Sequence, residues 1–327
     1  MAPATDYFAQ LVLIDGVQAV TLSDPASKTE VTILPGTGNI AYRMIVNGKN
    51  ILWTPAENVA EFAANPAMGG VPFLWPWANR IDQDAYYVDG KKYLLNPELG
   101  NLRRDGNHKS IHGLALFTSR WQVAAVQADS NAAWVTSRLE FSKFPDWMAQ
   151  FPFAHTVEMT YRLSGGSLEV ETVVQNQSMA AMPVLMGFHP YYRIHDASRD
   201  EWRVHLAARD RMTLSPQLIP TGERTPVEFA DLFPLKGVQF DDVFTNLNAG
   251  AEFSVEGKSE KISVSFGPKF TEAVVYAPDG KGFICFEPMS GTTNAFNLAH
   301  AGLYKELQSV APGGEWRESF RISTSGF

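Results

Sequence analysis

Apolar and polar residues alternate along most of this chain with a period of two. Val157, Met159, Tyr161 and Leu163 alternate with Thr156, Glu158, Thr160 and Arg162. Successive side chains of an extended backbone point to opposite sides, so this is the pattern of a strand with one buried face. After Ser164-Gly165-Gly166-Ser167 the alternation resumes with Leu168, Val170 and Thr172 against Glu169 and Glu171. Two such runs joined by Gly-Gly predict a hairpin. Asn47-Gly48 predicts another, between residues 44–46 and 51–53, and Asp89-Gly90 a third, between 86–88 and 93–95. Asn, Asp and Gly tolerate the positive φ that tight hairpin turns demand. Further strands are predicted around Ile262, Val264 and Phe266 and around Phe320 and Ile322. One short helix is predicted over 56–65, capped by Thr54-Pro55 and stopped by Pro66.

The chain shows no βα alternation, no phosphate-cradling glycine loop, no short-period repeat and no Gly/Ser-rich linker. The expected fold is therefore all-β: one domain over residues 1–327, a large antiparallel β-sandwich with long loops and few short helices. Such a sandwich presents a face lined by loops, where polar groups become candidates for chemistry.

Composition narrows the function classes. With 327 residues, 45% of them hydrophobic, the chain has enough material for a large core. No run approaches the ~18 apolar residues of a membrane-spanning helix. The apolar run Leu11–Ile14 is short and follows Asp6 rather than a basic segment, so no secretory leader is expected and a cytoplasmic location is. A net charge of −8 favours neither nucleic acid nor an anionic membrane surface as partner. The one cysteine, Cys285, excludes an internal disulfide and, as a sequence expectation, any cysteine-based metal site. Its neighbours Phe283, Ile284 and Phe286 place it in a buried strand.

Five segments put reactive groups among turn residues and aromatics. Residues 69–81 run from Gly69-Gly70 through Trp75-Pro76-Trp77 to Asn79-Arg80. Aromatic faces cover the C–H side of a pyranose, and Asn and Arg supply directed hydrogen bonds; a surface ion pair for Arg80 is the plainer reading. In Ser110-Ile111-His112-Gly113, glycine lets the backbone turn directly after an imidazole. Gly187-Phe188-His189-Pro190-Tyr191 fixes the backbone around a histidine, which suits proton delivery to one atom but also suits a core histidine. Gln239-Phe240-Asp241-Asp242 sets acids beside aromatics, with Asp242 read as a solvated loop residue. Phe283–Pro288 ends an apolar strand on Glu287. Burial there raises a carboxyl pKa toward the range of a useful base, although an arginine partner would make Glu287 structural. His189, His195 and Asp196 lie close in sequence, but their spacing matches no metal motif, and no metal is expected.

In this order and spacing the five segments resemble the aldose 1-epimerase, or galactose mutarotase-like, family. The similarity runs from about Thr29 to Ile322 and includes Phe151-Pro152-Phe153 and Ala311-Pro312-Gly313. The resemblance implies the galactose mutarotase-like β-supersandwich and cofactor-free interconversion of the α and β anomers of a small-molecule sugar. Carried over position by position, it implies His189 as general acid and Glu287 as general base. Asn79, Arg80, His112, Tyr191 and Asp241 correspond to the sugar-binding set.

Two features depart from the pattern. Val274 stands where galactose mutarotases tend to carry glutamine. Gly69-Gly70-Val71-Pro72 leans toward the hexose-6-phosphate branch, and Arg103, Arg104 and Lys109 lie in a loop suited to a phosphate. Asn79-Arg80-Ile81 instead resembles the free-sugar branch. A free hexose is the expected substrate. The alternatives are a hexose-6-phosphate mutarotase, a non-catalytic sugar-binding protein on the same fold, and a glycoside-cleaving enzyme using Glu287 and Asp241.

Overall fold

The computed structural model describes residues 7–327; Asp6, whose charge counts against a secretory leader, lies outside them. Three sheets dominate. The N-terminal one pairs Phe8–Ile14, Val17–Asp24, Thr29–Leu34, Ile40–Val46 and Lys49–Asn50 in chain order. A nine-stranded antiparallel sheet is centred on the long strands His155–Ser164, Ser167–Asn176 and Glu315–Ser325. An eight-stranded sheet has Phe240–Leu247, Glu272–Ala277, Ile284–Met289 and Gly187–Phe188 at its middle, with Tyr191–Tyr192 also pairing onto Ile284–Met289.

The two larger sheets pack face to face. Phe188 meets Phe320 at 4.8 Å between ring centroids, and Phe286 meets Phe253 at 5.8 Å. The expected antiparallel sandwich is present; its main core joins residues from Val20 to Ile322, with two smaller buried clusters beside it. Alternation then fixes the site. Because Phe286 points between the sheets, Cys285 and Glu287 point to the opposite face.

All three predicted hairpin turns form with both central residues at positive φ: Asn47 at 47° and Gly48 at 84°, Asp89 at 48° and Gly90 at 77°, Gly165 at 54° and Gly166 at 75°. Their second strands begin directly after the turn, at Lys49, Lys91 and Ser167. For the first two this is earlier than expected, since a two-residue turn leaves no slack. Asp15-Gly16 builds the same turn between the first two strands and escaped the pattern reading.

The helix over 56–65 is shorter than expected, spanning Val59–Ala64. Thr54-Pro55 does not start it. The Asn58 side chain accepts from the Glu61 N–H at 2.9 Å, and the Glu61 carboxylate accepts from the Glu57 N–H at 2.9 Å, so the cap closes later in the chain. Pro145–Gln150 and Ala295–His300 form two further helices; at six residues each they are too short to display helical periodicity. No helix among the described residues is long and apolar enough to cross a membrane.

Candidate active site

On the outer face of the eight-stranded sheet, cross-strand register builds two rows. Asp241 lies opposite Tyr276, Tyr276 opposite Cys285, and Cys285 opposite Tyr191. One step along, Val243 lies opposite Val274 and Val274 opposite Glu287. Segments 68–81 and 103–113, which carry the paired strands Arg80–Ile81 and Ser110–Ile111, border this face. They leave a cavity of about 200 Å³ lined by Met68, Asn79, Arg80, Ile111, His112, His189, Tyr191, Asp241, Val274, Tyr276 and Glu287. Every one of the seven residues singled out in the sequence lines it.

At its centre His189 Nε2 stands 3.2 Å from Glu287 Oε1, with Glu287 only 1% exposed. Among the described residues no arginine pairs with Glu287, and its carboxyl has no hydrogen-bond partner. The His189 backbone is pinned by donation to Pro72 O at 3.0 Å, and its ring stacks on Tyr191, 4.8 Å away and nearly parallel. His112 meets the same ring edge-on at 5.7 Å.

Arg80 is held from two sides. Its Nε donates to Asp105 at 2.7 Å and its Nη1 to the Asn79 side chain at 3.0 Å. Asn79 takes a left-handed backbone, φ 58°, and its carbonyl accepts from His112 N–H at 2.9 Å. The turn after His112 needs glycine. Gly113 has φ 65°, and a Cβ there would fall 2.2 Å from Trp75 O.

The electrostatics follow from dryness. Burial pulls the His189 imidazole down to about 3. It also pulls down His112, with His189, Arg80 and Arg103 adding to the effect. Burial, reinforced by Asp241 and opposed by Arg80, lifts Glu287 well above the usual carboxylate range. Both members of the pair thus favour their uncharged forms, a neutral imidazole 3.2 Å from a protonated carboxyl. Asp105 shows the opposite outcome. Burial pushes it up, but the Arg80 guanidinium and the backbone N–H groups of Lys109 and Asn107 bring it below its ordinary value.

Other candidates lie elsewhere. Asp242 pairs with Arg211 at 3.5 Å and does not line the cavity. The His195 ring bonds Asn50 O, and Asp196 accepts from Ser259 and Glu260 backbone N–H groups, so neither joins His189. Arg104 reaches Asp84 at 2.9 Å and His108 O at 2.7 Å, Lys109 donates to Asp82 O at 2.7 Å, and Arg103 lies over the Phe117 ring. These three do not converge on one point. Tyr276 and Asp105 were not read from the sequence. Tyr276 carried a signal, since it lies two residues beyond Val274 on the same strand face.

Residues 18–323 match the sequence model of the family described as aldose 1-epimerase. The chain belongs to the aldose 1-epimerase family. Among its relatives, the uncharacterized Escherichia coli K12 protein YihR is 26% identical over 231 residues, 68% of this chain and 70% of that one. Human galactose mutarotase is 30% identical over 159 residues, 46% of this chain and 41% of that one. A crystal structure of a galactose mutarotase-like protein from Clostridium acetobutylicum superposes with a TM-score of 0.86. It covers 98% of this chain and 99% of that one at 20% identity, which speaks for the fold alone.

Proposed function

We propose that this member of the family interconverts the α and β anomers of a free hexose, with His189 as acid and Glu287 as base. The observation that carries the reading is the buried His189–Glu287 contact at 3.2 Å inside a cavity that also holds Arg80 and His112. The ring oxygen of a pyranose has no proton, so the group facing it must donate. The C1 hydroxyl carries one, so its partner must accept. Burial keeps the pair's proton on Glu287. The ion pair with that proton on His189 has the same proton count, and the sugar's donor and acceptor stabilise it.

Glu287 then takes the C1 hydroxyl proton while His189 protonates the ring oxygen, and the C1–O5 bond breaks. Rotation about C1–C2 and closure with the roles reversed deliver the other anomer. Both oxygens sit on one carbon, so two groups in mutual contact reach them together. Each transfer by a placed group is worth about 10²–10⁴-fold. Arg80, held by Asp105 and Asn79, together with His112 and Asp241, binds hydroxyls, and the Tyr191 ring orients His189.

A purely sugar-binding role gains nothing from this arrangement. A buried carboxyl with neither oxygen hydrogen-bonded among the described residues is costly to maintain. A glycoside-cleaving role would use Glu287 with Asp241 and leave the His189 contact without a task. Against a 6-phosphate stands the engagement of Arg104 and Lys109 with Asp84 and Asp82. Anomer-exchange NMR over free hexoses and their 6-phosphates is the test. Enzyme-dependent exchange on at least one free hexose is expected. Binding of sugars without exchange of any would reduce the site to a receptor.

A further inference from the structure

Cys285 is buried and its thiol is free. It shares a strand face with Glu287 two residues on, lying opposite Tyr191 on one side and Tyr276 on the other. The fold does something here that chain spacing does not show. A ring nitrogen of His189, the Cys285 sulfur and a Glu287 carboxyl oxygen all lie within 4.8 Å of one another. Among the described residues, Glu287, 1% exposed, has neither carboxyl oxygen hydrogen-bonded, and His189 Nδ1 is likewise without a partner.

One imidazole, one thiol and one carboxyl form a mixed nitrogen, sulfur and oxygen set. Hard ions such as Mg²⁺ and Ca²⁺ prefer oxygen ligands in larger number. Zn²⁺ accepts this set, with bonds of about 2.0–2.3 Å that place tetrahedral ligands about 3.5 Å apart. The His189–Glu287 separation of 3.2 Å already matches. The cysteine lies at most 4.8 Å from each of the other two ligand atoms. Charge points the same way. A divalent ion held by a thiolate, a carboxylate and a neutral imidazole is neutral overall, the condition under which a buried site tolerates ions.

We propose that His189, Cys285 and Glu287 form a reversible inhibitory Zn²⁺ site whose fourth position opens into the sugar cavity. On binding, one coordinate bond forms to each of nitrogen, sulfur and oxygen. The thiol and carboxyl protons pass to solvent, and no electron is transferred. The ion then occupies both proton-transfer groups, so anomer exchange stops until it leaves. Inhibition rests on the function proposed above; binding does not.

Calorimetric titration of the full chain with ZnCl₂ should give one Zn²⁺ per chain, and MgCl₂ should give no comparable heat. Cys285→Ser and Cys285→Ala should weaken Zn²⁺ binding by more than about 100-fold, since loss of an outer-shell partner alone costs 10–100-fold. In EDTA both variants should exchange anomers as the wild type does, and added Zn²⁺ should no longer inhibit them. Co²⁺ gives a readout that needs no variant: a thiolate-to-metal charge-transfer band in the wild type can only come from Cys285, the chain's one cysteine. Absence of that band, equal binding of Mg²⁺, or unchanged Zn²⁺ affinity in both variants would overturn the proposal. If the wild type exchanges no sugar at all, the function fails while titration and Co²⁺ spectrum still report on the site.

Discussion

Val274 lies directly across the strand pair from Glu287, in register with it, and both line the cavity. A sugar hydroxyl turned toward those methyl groups loses water and gains no partner, at a cost of about 1–3 kcal/mol. The family resemblance sets glutamine at this position. Val274→Gln should therefore raise kcat/KM for galactose, about tenfold for a gain near the low end of that range. Polarimetry on galactose checks it. An unchanged or lower value would mean that Val274 does not face the sugar.

The basic loop gives a second prediction. Arg104 and Lys109 are engaged with Asp84 and Asp82, and Arg103 rests on Phe117. Replacing Arg103 and Arg104 together with alanine should leave kcat/KM for a free hexose within about twofold, as expected of surface positions with modest energetics. A large rise in KM confined to 6-phosphates, with free sugars barely turned over, would assign the chain to phosphorylated substrates.

Much of this arrangement was legible in the sequence because strands and tight turns impose local rules. Alternation at 156–172 and the Asn-Gly, Asp-Gly and Gly-Gly pairs determine which face is buried and where the chain reverses. The seven candidate residues come from five separate segments, so their convergence came from the family resemblance rather than from any local rule. What stayed hidden depends on partners distant in sequence. Asp105 orients Arg80 across 25 positions, and only strand register brings Tyr276 beside Asp241 and Cys285. The cap at Asn58 was missed because Thr54-Pro55 carries a similar signal. Cys285 was read correctly as buried, but its approach to His189 is a tertiary fact.

Glu272 yields a pH prediction independent of the proposed chemistry. It is buried, accepts from Tyr304 at 3.2 Å, and burial raises its pKa to about 8. The unfolded chain releases this proton near the ordinary value of 4.5. Between those values the folded state holds more protons, so Glu272 lowers stability progressively as pH rises from about 4.5 through about 8. The full effect is on the order of 5 kcal/mol. Denaturant unfolding of Glu272→Gln and wild type across that window should give a difference that grows with pH in favour of the variant. A pH-independent difference would contradict the assignment.

Chelation supplies another check. The acid–base pair needs no metal for ring opening, so exhaustive EDTA treatment should leave anomer exchange unchanged, or raise it where Zn²⁺ was bound. Loss of activity restored by a divalent ion would contradict the reaction as described.

The most direct test is the rate of anomer exchange in Glu287→Gln, measured beside His189→Asn and the double variant. Glutamine keeps the shape of Glu287 but cannot take the C1 hydroxyl proton. Each single change should lower kcat by roughly 10²–10⁴-fold, while sugar still binds through Arg80, His112 and Asp241. The double variant should lose far less than the product of the two, as groups acting in one step do. Near-normal exchange in Glu287→Gln would contradict its role as the base.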